Sequence, residues 1–140
     1  MPTVFTKIIE GELPGRFVWR DEVCVAFLSI NPLQTGHVLV VPRDEVDHWV
    51  DLAPEINKHL MGVAQVIASA QMKAFSPARV GLMIAGLEVP HVHIHLVPMN
   101  DLHDLDFANA DTDPGATQLD ESAVLLRQAL RDAGAASVSD

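Results

Sequence analysis

A single cysteine, Cys24, stands among 140 residues. It allows no disulfide within the chain and no zinc site built from thiolates. Its setting, Glu22-Val23-Cys24-Val25-Ala26-Phe27, reads as a strand and makes it a small core residue rather than a reactive thiol. No run approaches 18 uncharged apolar residues, so a membrane-spanning helix is not expected. The one early apolar run is broken by Lys7 and Glu10, with no small-residue cleavage site after it; no secretion leader is expected, and a cytoplasmic protein follows. Positive charge is scarce: 9 Lys and Arg against 19 Asp and Glu leave a formal charge of −10. That balance speaks against long nucleic acids and anionic membranes as partners. It leaves room for a small anionic ligand, which local N–H groups and histidines can hold. There is no internal repeat and no low-complexity block.

What is present is a chain 49% apolar, long enough to bury a core as one domain. The reading places that domain at 1–134, with a mobile tail at 135–140. Thr3 is placed to cap a short helix from Val4 to about Gly11, ended by Leu13-Pro14-Gly15. Phe17–Arg20 and Val23–Leu28 read as a hairpin. A loop, Asn31 to Gly36, delivers His37 to the apolar strand Val38–Val41, closed by Pro42. After a connector at 44–52, Ile56, Leu60, Val63, Ile67 and Ala70 recur at helical spacing over Ala53–Phe75. Arg79–Ile84 and His91–Val97, the latter ended by Pro98, read as the last strands. An acidic loop from Met99 to Gly115 precedes a final helix, Leu119–Ala133, with Gly134 at its end. The class is α+β: a mostly antiparallel sheet with a long packed helix and a C-terminal helix.

The chemistry concentrates in His91-Val92-His93-Ile94-His95. Strand side chains alternate, so the three histidines share one face and Val92, Ile94 and Leu96 the other. Three titratable rings in a row admit three readings. One is an exposed polar strand face. A second is a metal site, with Glu88, Glu45 or His37 as a third ligand. The third is nucleophilic catalysis by an unprotonated imidazole whose neighbours fix its tautomer. The acidic run Asp101–Asp113 lacks the spacing of a calcium loop and reads as solvated. His48, His59 and His103, outside the motif, and Trp19 and Trp49 read as surface or packing residues.

The segment Gly86 to Pro98 resembles the signature of the histidine-triad (HIT) superfamily. Two further blocks carry the same resemblance in order: Phe5 to Pro14 is similar to the opening helix of the family's nucleotide-binding branch, and Ile30-Asn31-Pro32 with Gly36 to Arg43 to its central loop and strand. Membership implies a compact HIT-like fold, a homodimer and no required cofactor or metal. It also implies attack on the α-phosphorus of a nucleotide derivative through a nucleotidyl-histidine. On the matching positions, His93 is the nucleophile, the carbonyl of His91 holds its second ring nitrogen, His95 contacts the phosphate and leaving group, and His37 completes the cluster. Phe5, Ile8, Phe27 and Ile30 fall in the family's nucleoside pocket.

The chain departs from the pattern at several points. Where many bacterial relatives have two zinc-binding cysteines and a histidine, it has Thr3, Thr6 and Glu45, so no structural zinc is expected. Ser29 stands where an acidic residue grips the ribose. Leu87 and Glu88 replace a glutamine and a Ser or Thr beside the phosphate. The leading expectation is a phosphoramidate or related nucleotidyl hydrolase acting on a purine nucleotide conjugate. The alternatives are a catalytically weak nucleotide-binding or regulatory protein, or a His-ligated metalloenzyme.

Overall fold

The computed structural model describes all 140 residues. Helix α1 (Val4–Ile9) is followed by strands β1 (Phe17–Arg20), β2 (Cys24–Leu28) and β3 (Val38–Pro42). The long helix α2 (Pro54–Phe75) leads to β4 (Arg79–Met83) and β5 (Ile94–Met99), and α3 (Ala116–Asp132) follows two short 3-10 turns. The strands form one antiparallel sheet in the order β1-β2-β3-β5-β4.

Alternation along the strands sorts the two faces. Cys24, Ala26, Leu28, Val38, Val40, Ile94 and Leu96 pack with Leu60, Val63 and Ile67 of α2 and Leu126 and Leu130 of α3. Val25, Phe27, Leu39 and Val41 point the other way and join Phe5 of α1 and Phe17. This second face carries the histidines. Pro54 begins α2 at a position where its missing N–H costs nothing, and Ser76 in the left-handed region ends it.

Several boundaries differ from the sequence reading. Helix α1 stops at Ile9, two residues short of Gly11, and α3 starts at Ala116, three residues before Leu119. The last core strand is Ile94–Met99 rather than His91–Val97. His91 and Val92 are instead held by backbone bonds from His91 N–H to Val89 and from Val92 N–H to Val46. Pro98 lies within β5, opposite Val80 of β4. Strand β3 pairs with β5 only as far as Leu96, so Pro98 has β4 alone as a neighbour and is tolerated as an edge position is.

The C-terminal segment after α3 lies against strand β1. Arg20 N–H donates to Ser137 (2.9 Å), Ser139 N–H donates to Val18 (3.1 Å), and Val138 bridges Trp19. Strand β1 is a sheet edge, and the tail takes up its free backbone groups. Arg127 Nε donates to the carbonyls of both Phe17 and Ser139, at 2.8 and 3.0 Å.

Candidate active site

His37 reaches the site through a tight approach. Gly36 has φ +86°, and a Cβ there would sit 2.4 Å from the Phe75 ring, so only glycine fits. Buried Gln71 of α2 donates to the carbonyls of Gly36 (2.8 Å) and Leu96 (3.0 Å), fixing the loop before His37 and the strand bearing His95 to the same helix. The rings lie closer than the ~6.5 Å repeat of alternate strand residues. The centroids of His93 and His95 are 4.9 Å apart, and those of His37 and His95 are 5.2 Å apart. Phe5 meets the His93 ring edge-on at 4.8 Å.

Fixed backbone groups assign every tautomer in the cluster. Leu33 N–H donates to His37 Nδ1 (3.0 Å), so the His37 proton sits on Nε2. That N–H faces His95 Nδ1 (3.0 Å), which must accept, leaving the His95 proton on Nε2. The carbonyl of His91 can only accept, so His93 carries its proton on Nδ1 (2.7 Å) and its Nε2 is bare. The carbonyl of Pro42 holds His91 Nε2–H (2.8 Å), so His91 Nδ1 accepts from the Thr3 hydroxyl (2.7 Å). His93 and His95 are 6% and 8% exposed. Their Nε2 atoms have no partner in the protein and are not sealed from solvent.

Burial keeps these rings neutral. It takes His37 down to about 3, helped by repulsion from His95 and His93, and His95 down to about 4, helped by His93. His93 is also lowered, first by burial; its bond to the His91 carbonyl and the nearby Glu88 charge act in the opposite sense. A bare, uncharged His93 Nε2 beside a His95 N–H donor is a nucleophile next to a group that can bind a phosphoryl oxygen.

A cleft of about 600 Å³ opens over the cluster. Phe5, Ile8, Phe27, Ser29 and Ile30 line it together with His37, His93 and His95. His91 does not line it, and acts through its carbonyl. Leu87 is 95% exposed and outside the cleft; it borders a separate recess of about 100 Å³ shared by Glu88, His93 and His95. Phe107, in the acidic segment expected to be solvated, meets His95 edge-on at 5.1 Å and lines both spaces. Only its aromatic side chain in an acidic run hinted at such a role.

The metal reading finds few free donors. Both nitrogens of His91 and His37 are engaged, as is Nδ1 of His95. Glu45 is occupied elsewhere: its Oε1 accepts from Thr3 N–H (2.7 Å) and the Thr6 hydroxyl (2.5 Å). One trio of donor atoms lies within 4.8 Å, Asp21, Cys24 and His59. There Asp21 already accepts from Trp19 Nε1, His59 Nε2 and the N–H groups of Val23 and Cys24. Burial, then the Asp21 charge, pushes the Cys24 thiol far up, so this trio is a polar staple of the β1–β2 turn.

The HIT domain profile matches residues 10–102. Adenosine 5′-monophosphoramidase HNT1 of Saccharomyces cerevisiae is 32% identical over 99 residues, covering 70% of this chain and 63% of that protein. Adenylylsulfatase HINT3 of Arabidopsis thaliana is 29% identical over 133 residues, covering 91% of this chain and 67% of that protein. The crystal structure of a Zn-bound histidine triad family protein from Mycobacterium smegmatis superposes with a TM-score of 0.81 at 30% identity, over 96% of each chain. The HIT-like fold is therefore that of solved relatives. Neither polar cluster here suits zinc: Thr3, Thr6, Glu45 and His91 offer two neutral hydroxyls and groups already bonded to one another, and the Asp21 trio is likewise saturated.

Proposed function

Because the chain belongs to the HIT domain family, we propose that it hydrolyses a purine nucleoside 5′-phosphoramidate or a related nucleotidyl derivative through a covalent intermediate on His93. The observation that carries this reading is the bare Nε2 of His93, held by the His91 carbonyl at the floor of an apolar cleft. The names of the yeast and plant relatives support nucleotide hydrolysis in the family.

In the first step His93 Nε2 forms a bond to the α-phosphorus. The bond from phosphorus to the leaving nitrogen breaks with its electron pair, and that nitrogen takes a proton from water. His95 Nε2–H binds a phosphoryl oxygen, and His37 keeps His95 in the donating tautomer. In the second step water adds its oxygen to phosphorus, the bond to His93 breaks, and the water proton replaces the one consumed. The products are a nucleoside monophosphate and an amine. Phe5, Ile8, Phe27 and Ile30 sandwich the base and sugar, with Ser29 at the ribose.

Incubation with adenosine and guanosine 5′-phosphoramidates tests this. Turnover that is insensitive to chelator and falls at least about a thousandfold in H93A is the expected result; metal-dependent turnover contradicts it. A second reading, a nucleotide binder that turns over poorly, is favoured by Ser29. It replaces a carboxylate, and its hydroxyl accepts Asn31 N–H at 3.2 Å within its own loop. Binding without turnover supports that reading.

The protein acts as a homodimer in this proposal. Strand β4 is the free edge of the sheet, and an apolar groove of about 350 Å³ between α2 and β4 exposes Met61 and Leu82. A second copy covers edge and groove together. Light scattering after gel filtration is expected to give twice the chain mass, and L82E to halve it. No helix is long and apolar enough to cross a membrane, and the unpaired, buried Cys24 suits a reducing cytoplasm.

A further inference from the structure

The two spaces above the histidines differ in size and in charge. The large cleft is mostly apolar and takes the nucleoside. The recess of about 100 Å³ has room for roughly three water-sized groups. Its seven lining residues include Leu87, and four of them, Glu88, His93, His95 and Phe107, also line the large cleft. The two spaces therefore meet at the reacting nitrogen, and displacement at phosphorus places the nucleoside in one and the departing group in the other.

Neither space is lined by a lysine or an arginine. Burial keeps His37 and His95 uncharged near neutral pH. Glu88 supplies the one formal charge at the junction. It takes part in none of the chain's four ion pairs, and no side chain of the protein neutralises it. It is close enough to His93 for its charge to act on that ring. The surrounding molecule carries a formal charge of −10. A sulfate, phosphate or pyrophosphate leaving group would add negative charge beside Glu88 with no cation opposite.

We propose that Glu88 is a specificity-determining residue that selects leaving groups bearing a cation, so that the favoured substrates are nucleoside phosphoramidates of amines with a second, positively charged group. This rests on the hydrolase reading of the same site. The recess accepts the first few atoms of the amine, and the Glu88 carboxylate pairs with the ammonium as the chain passes the exposed Leu87 toward solvent. The reaction is the two-step displacement given above; Glu88 exchanges no proton or electron pair and acts by charge.

Three adenosine 5′-phosphoramidates of similar size test this: N-(2-aminoethyl), cationic; N-propyl, neutral; and N-(carboxymethyl), anionic. The wild-type protein is expected to rank them cationic, neutral, anionic in kcat/KM. About tenfold should separate the extremes at low ionic strength, and the gap should shrink in high salt. In E88Q the spread should collapse, and in E88K the order should reverse, while the N-propyl compound reports turnover free of the charge effect. Equal rates for all three in wild type, or a ranking that survives in E88Q, overturns the proposal and leaves the hydrolase reading standing. Failure of the wild type to turn over any of them defeats the hydrolase reading. The same three compounds are then ranked by equilibrium binding, where equal affinities overturn the role of Glu88 and a cationic preference lost in E88Q sustains it.

Discussion

At the residue scale, each imidazole is fixed by a group that cannot change its hydrogen-bonding role. Leu33 N–H sets His37, the Pro42 carbonyl sets His91, and the His91 carbonyl sets His93. The bare Nε2 of His93 is thus defined without an external base. Burial lowers the His93 pKa below the ordinary 6.5, so the free base persists into mildly acidic solution. For a base catalyst, activity is present above its pKa and lost as pH falls through it. The pH dependence of kcat/KM is therefore expected to stay flat from about 7.5 to 6.5 and to fall only at lower pH. An acid limb centred above 6.5 would show that His93 is not the bare, buried base described here.

At the scale of elements, helix α1 is clamped to the site by hydrogen bonds. Thr3 caps the helix by accepting Thr6 N–H, and its hydroxyl donates to His91. Glu45 ties the backbone of Thr3 and the side chain of Thr6 to the connector after β3. Thr3→Val removes the cap and leaves a buried ring nitrogen unsatisfied. The loss expected in urea unfolding is about 1–3 kcal/mol. Thr3→Ser keeps the hydroxyl and should recover most of it. If T3V and T3S unfold alike, the clamp is not what holds α1.

The elements were legible where periodicity spoke: α2 from its helical spacing, β2 and β3 from their apolar runs, and the shared face of the histidines from alternation. The cluster of rings around His93 and His95 was legible in the run His91 to His95. Contacts between distant segments were not. Nothing local announces that Thr3 meets His91 across 88 positions, that Phe107 folds onto His95, or that Val138 bridges Trp19. Pro98 misled for a related reason: its tolerance depends on where the neighbouring strand ends, and that is a property of the sheet.

For the whole molecule, burying neutral histidines couples folding to pH. His37 and His95 titrate at about 3 and about 4 when folded, against 6.5 in an open chain. Between those limits the unfolded chain binds more protons, so stability falls as pH drops from 6.5 toward 4. Glu45, lowered chiefly by its bond from Thr6, adds a loss of the same sign below about 4.5. Urea midpoints are expected to stay nearly level from pH 7.5 to about 6.5 and to decline from there to 4.5, and H37F should flatten that slope. A midpoint independent of pH across that range would contradict neutral burial of the cluster.

If His93 acts as the nucleophile proposed above, its Nε2 becomes covalently nucleotidylated during turnover. The most direct measurement is the intact mass of the protein, quenched without acid within milliseconds of mixing with an adenosine phosphoramidate, followed by peptide mapping. An added adenylyl mass is expected on the peptide bearing His93, absent in H93A and decaying as nucleoside monophosphate appears. Rapid turnover with no adduct at any quench time, or an adduct on another residue, would rule out a covalent intermediate on His93.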